Sequence, residues 1–153
     1  METIKIGKSY AYMVPYLQSV KYDKKIPTVV ICPGGAYFYT SQREAEPVAY
    51  EFLAKGYNVF VLHYSTMASK MMIEEGLDYE SARNLVEDRI IESEEQPSQF
   101  PIPLVELALA LKHIHEHAEE YHVDTDNIIT CGFSAGANLV SLMGSYWHED
   151  WIN

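Results

Sequence analysis

Ile4 and Ile6 alternate with polar neighbours, which predicts a short first strand. Residues 10–17 are rich in aromatic and β-branched side chains and predict a second. Pro15 assigns that strand to an edge or a bulge, because proline cannot donate to a ladder. Residues 21–27 read as a charged turn. Thr28-Val29-Val30-Ile31-Cys32 is apolar throughout and stops at Pro33-Gly34-Gly35. Unbroken apolarity fits a strand covered on both faces, as in a parallel sheet. Residues 47–55 predict a helix with proline in its first turn and Gly56 as a left-handed stop. Ser41 and Glu44 have capping-box spacing, which would start that helix a turn earlier. Asn58-Val59-Phe60-Val61-Leu62-His63 is another apolar strand.

Residues 67–99 break this rhythm. They carry Glu74, Glu75, Asp78, Glu80, Glu87, Asp88, Glu92, Glu94 and Glu95, while Ala82, Leu85, Val86 and Ile90 recur at helical spacing. One or two surface helices with a narrow apolar stripe are expected. Such a charge run is ordinarily a solvated face, and that is the reading taken; a cap over a binding cleft is the competing one. Leu104, Leu107, Ala108, Leu111, Ile114 and Ala118 form a longer helical stripe. Residues 124–127 predict a turn, residues 128–131 a short buried strand, and residues 137–147 a helix. Two strands followed by strand–helix–strand–helix–strand–helix imply an α/β fold with a mostly parallel sheet.

The length of 153 residues suits one domain with a core, taken as residues 1–153 with an acidic helical insertion at about 67–99. The charge balance of 22 acidic against 11 basic residues, net −11, disfavours nucleic acid and anionic membrane surfaces as partners. Cys32 and Cys131 are too few for a disulfide framework. The first residues show no apolar leader pattern, and no run is long and apolar enough to span a bilayer, so a cytoplasmic setting with free thiols is expected.

Gly132-Phe133-Ser134-Ala135-Gly136 matches the G-x-S-x-G pattern between a strand and a helix, the setting of a nucleophile elbow. The glycines leave room for a tight turn that lifts the Ser134 hydroxyl out of the sheet, with the following helix aiming backbone N–H groups and its positive end at the site. The bland alternative is a strand-to-helix turn whose small residues serve close packing. Pro33-Gly34-Gly35-Ala36-Tyr37 is a second glycine turn after a buried strand, with exposed N–H groups. The G-x-G-x-x-G and G-x-x-x-x-G-K-[ST] phosphate loops are absent.

Pro33-Gly34-Gly35-Ala36-Tyr37, Arg43-Glu44, Gly56-Tyr57, Tyr64-Ser65 and Gly132-Phe133-Ser134-Ala135-Gly136-Ala137 together resemble bacterial esterase/lipase-like α/β hydrolases, in the acetyl-esterase or acetylxylan-esterase-like carboxylesterase branch. Alanine stands at Ala36 and Ala137 where that group usually has glycine. The resemblance implies a serine hydrolase of small acyl esters, with Ser134 as nucleophile and N–H groups of Gly35 or Ala36 and of Ala135 as oxyanion hole. It implies no cofactor and no metal. It also implies an acid and then a histidine after the serine. His148 and Asp150 follow in the reverse order, and 14 helical residues would carry His148 about 21 Å from Ser134. The expectation is therefore a truncated α/β-hydrolase fold lacking the C-terminal strands that carry those two groups. It would be weakly active by itself, with the strand at residues 128–131 as an open edge inviting a homodimer or a completing second chain. The alternative from another class is a non-catalytic binding or interaction module.

His63 ends a strand beside the glycine turn, and with Tyr37 it is a candidate cleft residue, although a packed, hydrogen-bonded histidine is the commoner role. His113 and His117 share a helix face at i, i+4, but the His-Glu-x-x-His pattern is absent and a solvated helix end is the reading taken. Cys32 and Cys131 read as small buried hydrophobes.

Overall fold

The computed structural model describes residues 2–20, 22–93 and 100–152. Five strands form one sheet: β1 (Ile4–Ile6), β2 (Ala11–Tyr16), β3 (Ile26–Cys32), β4 (Asn58–His63) and β5 (Val123–Gly132), in the order β1-β2-β4-β3-β5. β2 runs antiparallel to β1 and β4, whereas β4, β3 and β5 are parallel, so only β2 is reversed. This is the mostly parallel α/β sheet that the alternation implied.

The two apolar runs are covered on both faces. Val30, Cys32, Phe60 and Leu62 point into one core with Leu104, Leu107, Ala110 and Ile114 of α4 (Ile102–Glu116) and Leu139 of α6 (Ala135–Tyr146). Val29, Ile31, Val59 and Val61 point the other way, against Ala45 and Ala49 at α1 (Glu46–Ala54). Side chains alternate with period two, so a strand with helices on both sides must be apolar at every position. A third small core joins α2 (Met67–Glu75) to α3 (Tyr79–Ser93) through Met67, Ala68, Met71, Ala82 and Val86. Leu85, counted in the predicted stripe, is 41% exposed. The acidic segment is thus two helices, as expected; its residues 94–99 lie outside the described ones. The last helical turn before β5 is α5 (Ala118–Tyr121). No helix among the described residues is long and apolar enough to cross a membrane.

Four local expectations are corrected. β2 is an interior strand despite Pro15. β1 pairs only with Ala11, Tyr12 and Met13, so Pro15, opposite Phe60, has β4 on one side alone and is locally at an edge. Ser41 caps nothing: Gln42–Glu44 form a single 3₁₀ turn, and Glu44 Oε1 instead accepts from Gly34 N–H at 3.2 Å. A capping box exists at Thr66 and Ser69, opening α2. The turn at 124–127 lies inside β5, as an irregularity where the partners of Ile26 and Thr28 are Val123 and Ile128. Asp124 supports it by accepting from Asp126 N–H at 3.1 Å and Asn127 Nδ2 at 2.7 Å. The strand at 128–131 is half-buried rather than buried, with Ile129 48% exposed, because among the described residues β5 has a neighbour on one side only.

Candidate active site

Ser134 stands between the end of β5 and the start of α6, two residues earlier than the predicted helix start. Its φ of 53° and ψ of −115° lie outside the ordinary region for a side-chain-bearing residue, a conformation that costs on the order of 1–3 kcal/mol and persists only where packing enforces it. The packing is visible at Gly136, where a Cβ would come within 1.9 Å of the Cys32 carbonyl oxygen. Only glycine lets α6 start against the end of β3. At Gly132 a Cβ would come within 2.3 Å of the Gly136 carbonyl oxygen.

The turn after β3 is held against this elbow. A Cβ on Gly34 would lie 2.9 Å from Ser134 Cβ, so the glycine sets how near the two loops come. Gly35, Ala36 and Tyr37 then follow with φ of 135°, 55° and 64°. Positive φ at a non-glycine residue is a strained conformation, held at Ala36 and Tyr37 by the packing around the turn. Among the described residues, no acceptor takes the N–H of Gly35, Ala36 or Ala135. The loop is braced from four sides. Glu44 takes Gly34 N–H; Tyr64 O–H donates to the Pro33 carbonyl; Tyr37 O–H donates to Asn138 Oδ1 at 2.8 Å; and Ala68 N–H donates to the Phe38 carbonyl at 2.8 Å. Burial raises the Tyr64 phenol well above its ordinary range, so it stays protonated as a donor.

Gly35, Ala36 and Ser134 open on one cavity of about 450 Å³, with Ser41, Arg43 and Glu44 around it. Its outer wall is α3, through Arg83, Val86, Glu87 and Ile90. One face of the acidic segment, on α3, therefore borders the cleft instead of meeting solvent alone. Val86 and Ile90 belong to the stripe the sequence displays; Arg83 and Glu87 sit one position after Ala82 and Val86, so the stripe's flank was the available signal. Tyr37 lines a neighbouring apolar cavity of about 350 Å³ with Ala36, Phe100, Leu104, Asn138 and Leu142.

Among the described residues no histidine lines the Ser134 cavity, and no side chain hydrogen-bonds the Ser134 hydroxyl. His63 faces a separate cavity with Tyr12, Tyr16, Gln42, Glu46 and Tyr79. Its ring stacks on Tyr12 at 4.7 Å, its Nδ1 is 2.7 Å from Thr40 Oγ1, and burial holds its pKa down to about 4. That is a packed, neutral imidazole. The His113 and His117 rings stack at 4.0 Å, and His117 Nδ1 contacts the His113 carbonyl at 2.9 Å. Cys32 and Cys131 are free; Cys32 is fully buried, which pushes its thiol up to about 12, and Cys131 is half-buried. His148 pairs with Glu149 at 3.5 Å, beyond the far end of α6 from Ser134.

The family profile described as BD-FAE matches residues 73–152. An α/β hydrolase (MGS-M1) from a Medee basin deep-sea metagenome library is 31% identical, superposes with a TM-score of 0.71, and is matched over 93% of this chain and 49% of its own. An acetyl ester-xyloside bifunctional hydrolase from Caldicellulosiruptor lactoaceticus is 25% identical with a TM-score of 0.65, over 93% of this chain and 43% of its own. Endo-1,4-beta-xylanase B of Butyrivibrio fibrisolvens is 24% identical over 127 residues, which is 83% of this chain and 16% of that protein. The chain thus spans about half the length of the solved relatives and less of the xylanase.

Proposed function

Because the chain belongs to the BD-FAE family, and with it to the α/β-hydrolase carboxylesterases, we propose that it carries the nucleophile half of a serine esterase for small acyl esters. The observation that carries this reading is Ser134 itself: a serine at φ 53°, exposed at the mouth of a cavity whose facing wall is the Gly35–Ala36 turn. In this reading the Ser134 hydroxyl attacks the ester carbonyl, and N–H groups of Gly35 or Ala36 and of Ala135 receive the oxyanion of the tetrahedral intermediate. The Ala135 donor sits at the start of α6, where the helix end favours negative charge. No metal or cofactor takes part in the reading. Acetyl is the acyl group proposed, from the resemblance and from what the Caldicellulosiruptor relative is described as hydrolysing.

The proposal includes a base from another polypeptide segment, since the described lining of the cavity holds no histidine. β5 supplies the place for it, as the last strand of the sheet with one paired side. A second copy or a completing chain would pair there. Without that segment, the oxyanion hole and binding alone would leave an acceleration on the order of 10³–10⁴ over water. The domain reading, one hydrolase domain with α2 and α3 as its acidic insertion, and the cytoplasmic setting belong to the same proposal.

The test is intact mass spectrometry after treatment with a fluorophosphonate, with Ser134→Ala as control. One adduct on the 17.5 kDa chain, absent from the variant, is the expected result. No adduct on the chain alone or mixed with a candidate completing chain would overturn the esterase reading. It would favour the non-catalytic binding module, which the histidine-free cavity also accommodates.

A further inference from the structure

The chain has three arginines, Arg43, Arg83 and Arg89. Arg89 is bidentate to Glu75, at 2.7 and 2.8 Å. The other two both line the Ser134 cavity. In a chain with twice as many acidic as basic side chains, a surface arginine readily finds a carboxylate. Among the described residues neither Arg43 nor Arg83 has one within ion-pair distance. Glu44 and Glu87 line the same cavity without pairing with them. Glu44 Oε1 is turned to Gly34 N–H, and Glu87, though at i, i+4 from Arg83, stays apart from it.

Arg83 is held in another way. Its Cζ lies 3.8 Å from the centroid of the Tyr39 ring. A guanidinium this close over a ring is held by cation–π attraction, which supplies no hydrogen-bond acceptor in the guanidinium plane and so leaves N–H donors for a ligand. Arg43 is exposed on the 3₁₀ turn that borders the same cavity. Planar N–H forks of this kind match a carboxylate bidentately. The two glutamates in the lining weigh against a doubly charged anion and leave room for a singly charged one.

We propose that the Ser134 cavity takes an ester that itself carries a carboxylate, and that Arg43 and Arg83 hold this group while Ser134 faces the acyl carbon. The inference rests on the esterase reading for its chemistry but not for its test. Three arginines yield three Nε–H signals in a ¹⁵N-resolved NMR spectrum, assigned by Arg43→Gln, Arg83→Gln and Arg89→Gln. The protein is titrated with two inert amides, N-methylsuccinamate for a carboxylate on the acyl side and N-acetylglycine for one on the alcohol side. The neutral N,N′-dimethylsuccinamide is the reference. One carboxylate ligand should shift the Arg43 and Arg83 signals, leave Arg89 in place, and bind at least about tenfold tighter than the reference, as charge-assisted hydrogen bonds require. Arg43→Gln, on an exposed turn outside the packed helices, should lose about tenfold in affinity, whereas Lys112→Gln on α4 should lose none. Equal binding of charged and neutral ligands, or shifts at all three arginines alike, would overturn the proposal. A chain that binds the carboxylate selectively but never acylates would overturn the esterase reading alone.

Discussion

Alanine introduced at two glycines of α6, positions 136 and 144, should move stability in opposite directions. At Gly136 the added Cβ would lie 1.9 Å from the Cys32 carbonyl oxygen, 2.6 Å from its carbon and 2.7 Å from the Pro33 oxygen. Carbon and oxygen ordinarily meet at about 3.3 Å, so the helix would have to retreat by roughly 1.4 Å from a backbone that cannot rotate away. Such overpacking costs about 3 kcal/mol, against which the better helix propensity of alanine returns about 1 kcal/mol. The net loss expected for Gly136→Ala is about 2 kcal/mol, or more if Leu139 is lifted from the core. At Gly144 an added Cβ meets nothing within 4 Å, so Gly144→Ala should gain about 0.5–1 kcal/mol. Urea unfolding followed by circular dichroism measures both, with equal m-values as the check that the transitions compare. Because Cys32 and Pro33 lead into the turn facing Ser134, Gly136→Ala should also slow fluorophosphonate labelling, while Gly144→Ala should not. Equal midpoints for the two variants would refute the claim that close approach to β3 is what Gly136 provides.

Ala36→Gly should stabilise the fold by roughly 0.5–1 kcal/mol in thermal melts, since φ of 55° strains alanine and the N–H donor is kept. His63 should make stability pH-dependent. With its folded pKa near 4, the unfolded chain takes up a proton below about pH 6.5 that the folded chain refuses, so stability present at pH 7 falls by about 2 kcal/mol at pH 5. His63→Gln should remove that part of the loss in urea titrations at the two pH values. Glu106 is buried, and its carboxylate accepts from both Ser65 N–H, at 2.8 Å, and the Ser65 hydroxyl. Glu106→Ala would orphan that N–H and should cost about 2–3 kcal/mol in the same urea assay, whereas Glu106→Gln, which keeps an acceptor, should cost less.

The elements and the tight strand-to-helix turn at Ser134 were legible in the chain because their causes are local. β3 and β4 announce themselves as apolar runs, since a strand covered on both faces has no polar position to show. Ser134 is marked by the small residues that its turn and the approach of α6 to β3 require. Other features depend on what the rest of the fold brings near. Glu44 looks like a capping residue until the turn after β3 presents Gly34 N–H to it. Glu106 looks like one more charge on α4 until Ser65 arrives from 41 residues away. Pro15 is compatible with an interior strand only because β1 stops short of it. His63 ends the expected strand, yet it meets Thr40 and lines a cavity separate from that of Ser134, and no local pattern encodes that partition. The same holds for α3. Its apolar stripe fixes that it packs, but whether its Arg83 and Glu87 meet solvent or the Ser134 cavity was decided by where the fold docks it. Periodicity records which face of an element is buried; only the tertiary structure decides what that face, and its flank, are buried against.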